Sequence, residues 1–159
     1  MKNKTEDKTN VCRLLDAKNI DYRYQQIDLQ EAVSGVKMAG LLGLDKDRVF
    51  KTLVTEGRSG NHYVFVIPVD CELNLKKAAS AVEEKSIEMI AQKMLLPLTG
   101  YVHGGCSPIG MKKFFTTVID ESAQLFDNIY FSAGRIGCQI EMDPRDLKKI
   151  IDIKFDDVT

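Results

Sequence analysis

Between Thr99 and Lys113 the chain reads TGYVHGGCSPIGMKK, which places Gly100, Gly104, Gly105, Gly110 and Pro108 inside one short, apolar-flanked segment. Glycine at that density means the backbone turns sharply or comes close to another group. Either use leaves bare N–H groups available to a ligand oxygen. Three enzyme templates come near the segment. A phosphate loop requires four residues between two glycines, followed by Lys and Ser or Thr; Gly105 and Gly110 have that gap, but Met111 stands where the lysine belongs. The following residues, Phe114 to Ile119, read as strand, whereas a phosphate loop opens a helix. A nucleophile elbow requires Gly-x-Ser-x-Gly, and two residues separate Ser107 from Gly110. Cys106 three residues after His103 suggests a thiol nucleophile, but that spacing in a glycine loop guarantees no hydrogen bond. On the residues alone a structural glycine turn joining two strands is favoured, with a catalytic loop as the alternative.

A chain of 159 residues is one domain's worth, and its 44% hydrophobic and 28% charged residues suit a globular protein with its own core. The four cysteines, Cys12, Cys71, Cys106 and Cys138, form no CxxC pair, and MKNKTEDKTN has no apolar leader, so a reducing cytoplasm is expected. The longest apolar run, Tyr63 to Val69, is strand-sized and contains Pro68, so no membrane span is expected. With two histidines and scattered cysteines no metal-ligand spacing exists, and neither metal nor cofactor is expected. A formal net charge of −1 argues against nonspecific coating of nucleic acid. A local patch gripping one RNA end remains open, with Lys76 and Lys77, Lys112 and Lys113, and Arg135 as candidates; each alone reads as solvated surface.

In chain order, residues 1–8 are polar and expected to be disordered, and 9–159 to form a single domain. Thr9 caps a helix carrying Val11, Leu14 and Leu15, and alternation from Ile20 to Asp28 predicts a strand. Ser34 starts a second helix, ended by Gly43. Val49 to Thr55 and His62 to Val69 form a hairpin around GRSGN. Lys51 stands out among Val49, Phe50, Leu53 and Val54. It either snorkels to water from a sheet edge, the favoured reading, or is held in a cleft where its charge meets a partner. Leu73 to Val82 is helical, Ser86 to Met89 a short strand, and Ile90 to Leu96 a helix stopped by Pro97. Strands follow at Phe114 to Ile119, Asn128 to Phe131 and Gly137 to Met142. Ser132 to Gly137, SAGRIG, is either a hairpin turn or a second loop aiming N–H groups at an anion. Asp143 caps a final helix to about Ile151, with Pro144 at its first position. The elements describe one α+β domain without regular βαβ alternation.

Four separated motifs, FKTLV at Phe50 to Val54, LNLKKAA at Leu73 to Ala79, TGYVHGGCSPIG at Thr99 to Gly110, and SAGRIG with Ile140 and Glu141, resemble the YbaK/EbsC family of free-standing aminoacyl-tRNA editing domains. That family is related to the insertion domain of bacterial prolyl-tRNA synthetases, and the resemblance runs from about Asn10 to Phe155. It implies a mixed, mainly antiparallel, barrel-like sheet surrounded by helices. The implied activity is deacylation of mischarged tRNA, above all Cys-tRNA(Pro) and by extension Cys-tRNA(Cys), by attack of the substrate's own thiol on its carbonyl. The enzyme is then a carbon–oxygen lyase if a thiolactone forms and an ester hydrolase otherwise. Catalysis would fall to Lys51, as a cation holding the terminal nucleotide or ester, and to Gly104 and Gly105 as backbone donors. Thr52, Ser107, Ser132 and Gly134 would contact the substrate, with Cys106 and Ser107 shaping the loop. The implied partners are aminoacyl-tRNA and, transiently, prolyl-tRNA synthetase, met by a cytoplasmic monomer. Departures exist: Ser132-Ala133-Gly134 where many members carry two glycines, Gln139 where some carry an acid, and Ile27 and Ser34 in place of aromatics. Rival readings are an Ala-tRNA(Pro) hydrolase and a noncatalytic module binding tRNA or synthetase.

Overall fold

A computed structural model describes residues 8–159. Of the N-terminal segment expected to be disordered, residues 1–7 lie outside the described residues, while the ammonium of Lys8 pairs with Asp16 at 2.6 Å. Helix α1 (Asn10–Ala17) begins where the sequence places it. Thr9 sits in extended backbone and its hydroxyl accepts from the N–H of Cys12, while Val11, Cys12 and Leu15 form the buried stripe. Strand β1 (Arg23–Gln26) is shorter than the alternation from Ile20 suggested. Helix α2 (Gly35–Leu42) is capped by the Ser34 hydroxyl and ended by Gly43 at φ +67°. Strands β2 (Phe50–Gly57) and β3 (His62–Pro68) pair antiparallel as the expected hairpin, from Phe50 opposite Pro68 to Glu56 opposite His62.

Helix α3 (Leu75–Ala81), capped by Asn74, leads to β4 (Ile87–Met89). The next helix departs from expectation: a 3-10 turn at Gln92–Met94 runs into α4 (Leu95–Thr99), with Pro97 inside it and Gly100, at φ +86°, ending it. Pro97 is tolerated because it occupies the first turn, where a backbone N–H has no partner within the helix to lose. The glycine segment therefore joins a helix to β5 (Thr116–Asp120), not two strands. Strands β6 (Ile129–Ser132) and β7 (Cys138–Met142) make an antiparallel hairpin through SAGRIG. The helix after Asp143 is 3-10 over Pro144–Lys149, and β8 (Ile153–Asp156) follows, a strand absent from the sequence expectations.

The strands form two sheets, ordered β1-β7-β6 and β4-β2-β3-β5-β8. Pairing is antiparallel except where β5 lies parallel between β3 and β8. The α+β class holds, but the sheets do not join into a closed barrel among the described residues; a single parallel bridge, Val49 with Tyr130, links them. The main core lies between the sheets, where Phe50, Val54 and Val66 meet Phe131, Ile140 and Met142 under α1. The opposite face of the larger sheet, with Phe65 and Ile67, packs on the alanines of α3, and Tyr130 on the outer face of the smaller sheet packs with Ala39 of α2.

Alternation on the smaller sheet has a functional consequence. Phe131 and Ile140 point into the core, so Gln25, Gln139 and Ser132, which are cross-strand partners, form a polar row on the outer face. The β6–β7 turn fixes that row through Gly137, at φ +84°, whose carbonyl accepts from the Ile27 N–H at 2.9 Å. A Cβ there would collide with the Ile27 carbonyl oxygen. Gly137→Ala is expected to destabilise the fold by about 2 kcal/mol or more, measured as a lower urea midpoint at unchanged slope.

Candidate active site

Beyond the Val49–Tyr130 bridge β2 and β6 separate, and β4 covers the same edge of β2 only from Thr55 to Gly57. An unpaired gap remains along Phe50 to Leu53. The Val54 carbonyl accepts from Ile90 N–H on that edge, so strand alternation turns the backbone N–H and C=O of Thr52 toward the gap. A cavity of about 390 Å³ opens here. Its walls are the entry of α2 (Ser34, Met38), the β2 edge (Lys51, Thr52), the glycine segment (His103, Gly104, Cys106) and the polar row of the smaller sheet (Ser132, Gln139).

Lys51 is half-buried in this wall and has no hydrogen bond or ion pair among the described residues. Lys51 thus lines the cavity wall. Thr52 shares the face of Phe50 and Val54; its hydroxyl is buried without a hydrogen-bond partner among the described residues, as is the Oε1 of Gln139. Gly104 takes φ +87°, and its N–H has no acceptor among the described residues, so it is available to a ligand. Gly105 is not: its N–H donates to the Val102 carbonyl at 3.0 Å, and it packs on the backbone of Arg135 and Ile136 outside the cavity. Two backbone donors were expected from sequence, and in this conformation one is free.

Ser132 lines the cavity with its hydroxyl accepting from the N–H of Gly134 at 3.0 Å. Gly134 itself sits behind that wall against Tyr101 and Val11. Ser107 is fully buried outside the cavity, its hydroxyl accepting from Ile109 N–H at 3.3 Å, so it shapes the loop. Of the residues anticipated as substrate contacts, Thr52 and Ser132 reach the cavity; Ser107 and Gly134 do not. Gln139 also lines the cavity, though the sequence marked it only as a departure. Its signal was a polar residue in mid-strand between buried Cys138 and Ile140.

Burial pushes the Cys106 thiol up to about 12, so it faces the cavity as a neutral group at neutral pH. Among the described residues no cluster of three or more His, Cys, Asp or Glu could hold a metal. A second groove, about 510 Å³, runs between Leu14, Met111, Phe115 and Ile151, but none of the unpartnered buried polar atoms lines it. Volume alone is a poor guide here. Convergent unpaired polar groups make the smaller cavity the candidate binding site.

The cavity thus brings together a cation, a free backbone donor and buried polar atoms without partners among the described residues. The chain belongs to the aminoacyl-tRNA editing domain family: the family profile described as "Aminoacyl-tRNA editing domain" matches residues 30–150, a range containing every cavity residue named above. Over 159 residues the chain is 42% identical to the Enterococcus faecalis protein EbsC, named as a candidate Cys-tRNA(Pro)/Cys-tRNA(Cys) deacylase, with 99% of this chain and 97% of that one covered. It is also 32% identical over 97 residues to the proline–tRNA ligase of Pelobacter propionicus, covering 61% of this chain and 17% of the ligase. In fold it is similar to the crystal structure of a candidate trans-editing enzyme for prolyl-tRNA synthetase, with a TM-score of 0.79, 18% identity, and 95% and 98% of the two chains covered. No helix among the described residues is long and apolar enough to cross a membrane.

Burial that suppresses ionisation of Cys106 disfavours it as a nucleophile. Cys106→Ala is expected to retain most deacylation activity, and peptide mapping after iodoacetamide treatment at pH 8 should find Cys106 unmodified in the folded protein. Because its ionisation is suppressed by folding, its alkylation should grow only as the pH climbs toward about 12 or the chain unfolds.

Proposed function

We propose that this chain clears mischarged aminoacyl-tRNA in trans, acting on Cys-tRNA(Pro) and also on Cys-tRNA(Cys). The observation that carries the reading is the placement of Lys51 and the free Gly104 N–H in one cavity whose single thiol, Cys106, is neutral. Lys51 supplies charge to the phosphate or ester oxygens of the tRNA's terminal adenosine. Gly104 donates to the carbonyl oxygen as it gains negative charge. The nucleophile is the substrate's own cysteinyl sulfur. Its thiolate attacks the carbonyl carbon, the bond to the ribose oxygen breaks, and that oxygen takes up a proton. The tRNA leaves with its hydroxyl restored, and the amino acid leaves as a thiolactone that water then opens. Proximity within one bound residue supplies much of the rate.

The similarity to EbsC over nearly the whole chain supports the cysteinyl substrate, and the partial similarity to a proline–tRNA ligase is consistent with a substrate that prolyl-tRNA synthetase supplies; the chain would act as a cytoplasmic monomer meeting that synthetase transiently. An alanyl ester has no thiol, so its cleavage would require water in place of the substrate sulfur. Deacylation of Cys-, Ala- and Pro-tRNA(Pro) separates these cases. Wild type is expected to release cysteine selectively, and folded Lys51→Ala to be slower by about 100-fold or more, in the range seen when one preorganised transition-state donor is removed. Equal release of alanine would move the chemistry to water attack. No release from any ester by the wild type would make the chain a binding module.

A further inference from the structure

The cavity contains a mismatch that the chemistry above does not use. An ester carbonyl, a ribose ring oxygen and phosphates are all acceptors, and Lys51 and Gly104 answer them as donors. The same walls also carry oxygens that can accept, the Gln139 carbonyl oxygen as an acceptor only and the Thr52 hydroxyl in either sense. The Thr52 hydroxyl and the Gln139 Oε1 are buried and have no partner among the described residues, and Gln139 as a whole is 7% exposed. The Oε1 of Gln25, directly across the strand pair from Gln139, is unpartnered too, so the neighbouring amide does not relieve it. Buried unpaired acceptors are costly and are retained where a ligand completes them.

We infer that Gln139 and Thr52 hold the α-amino group of the aminoacyl ester, so the site requires that group to be free. The inference rests on the editing function proposed above and names what the same site selects. Among the donors of an aminoacylated terminal adenosine, a ribose hydroxyl or the thiol offers one hydrogen, and the adenine amino group lies at the far end of the nucleoside from the ester. The α-ammonium stands one carbon from the carbonyl that Gly104 would hold, and it carries three hydrogens, enough for two acceptors at once. Acylating that nitrogen removes its charge, leaves one N–H, and adds bulk against the polar row of the smaller sheet. The selection has a clear use. An editing site that took N-acylated esters would also cleave peptidyl-tRNA; one that demands a free amine spares it.

Binding is read with 3′-(L-cysteinylamino)-3′-deoxyadenosine, whose amide resists cleavage, and with its N-acetyl derivative, by calorimetry on the full chain. Wild type is expected to bind the free amine tighter by about tenfold or more, the factor that stranding buried acceptors produces. Gln139→Leu should bring the ratio close to one by weakening the free-amine compound alone. Gln139→Glu, which keeps an acceptor oxygen, should preserve the preference and shows that a loss in the leucine variant is not unfolding. Thr52→Val should lower the ratio part of the way. Equal binding of the two compounds by wild type, or an unchanged ratio in Gln139→Leu, overturns the inference. The matching reaction uses Cys-tRNA(Pro) and N-acetyl-Cys-tRNA(Pro). Binding preference without cleavage of either ester leaves this inference standing and removes the editing function; equal cleavage of both does the reverse.

Discussion

The site depends on one bridge between two sheets that then part. Val49 and Tyr130 meet, and the packing of both against Ala39, Val69 and Leu44 holds that contact in place. If β2 and β6 stayed paired beyond it, the backbone groups around Thr52 would be consumed by a ladder. If the sheets were fully separate, nothing would keep Lys51 and Thr52 opposite Ser132 and Gln139. The joined end is further fixed by Arg48, whose guanidinium lies 5.2 Å from the centre of the Tyr130 ring, donates to the Asn128 carbonyl and approaches Glu141 at 3.7 Å. A cleft made by diverging strands exposes main-chain polarity inside a folded domain, where water would otherwise be needed to satisfy it.

In the proposed function, that arrangement would let a site cleave an ester with few reactive side chains. The work is division of polarity. In the function proposed above, Lys51 and Gly104 donate to the oxygen-rich linkage, while the Thr52 hydroxyl and the Gln139 carbonyl oxygen can accept from the amino group. The neighbouring thiol is kept neutral by burial and the neighbouring hydroxyl, Ser107, is turned into the loop. In the proposed reaction, reactivity then belongs to the substrate, and selectivity to whether the substrate brings its own nucleophile.

Much of the scaffold was legible because its signals are local. Thr9, Ser34 and Gly43 do at the helix ends what their side chains and backbone freedom dictate, and the β2–β3 hairpin follows its turn residues. Strand β8 was also locally written, in the alternation of Ile151, Ile153 and Phe155 with Asp152, Lys154 and Asp156, but its short length lay under the pull of the preceding helix signal. Pro97 misled because the same residue that ends a helix is at ease in a first turn. The site was harder. Gly104 and Gly105 are identical in sequence terms, and only the loop's path decides that one N–H is spent on Val102 while its neighbour's is free. Likewise Ser107 and Ser132 are both serines beside glycine turns, and one faces the core while the other faces the cavity. Such differences are tertiary.

The claim that the diverging-strand cleft receives the aminoacyl end is tested most directly by amide NMR of the isotopically labelled protein during titration with 3′-(L-cysteinylamino)-3′-deoxyadenosine. The account predicts that the free N–H groups of Gly104 and Thr52 and the side-chain amide of Gln139 shift together and saturate together, while residues of the second groove, Phe115 and Ile151 among them, stay in place. Shifts gathered in that groove, with Gly104 and Thr52 unmoved, would contradict it.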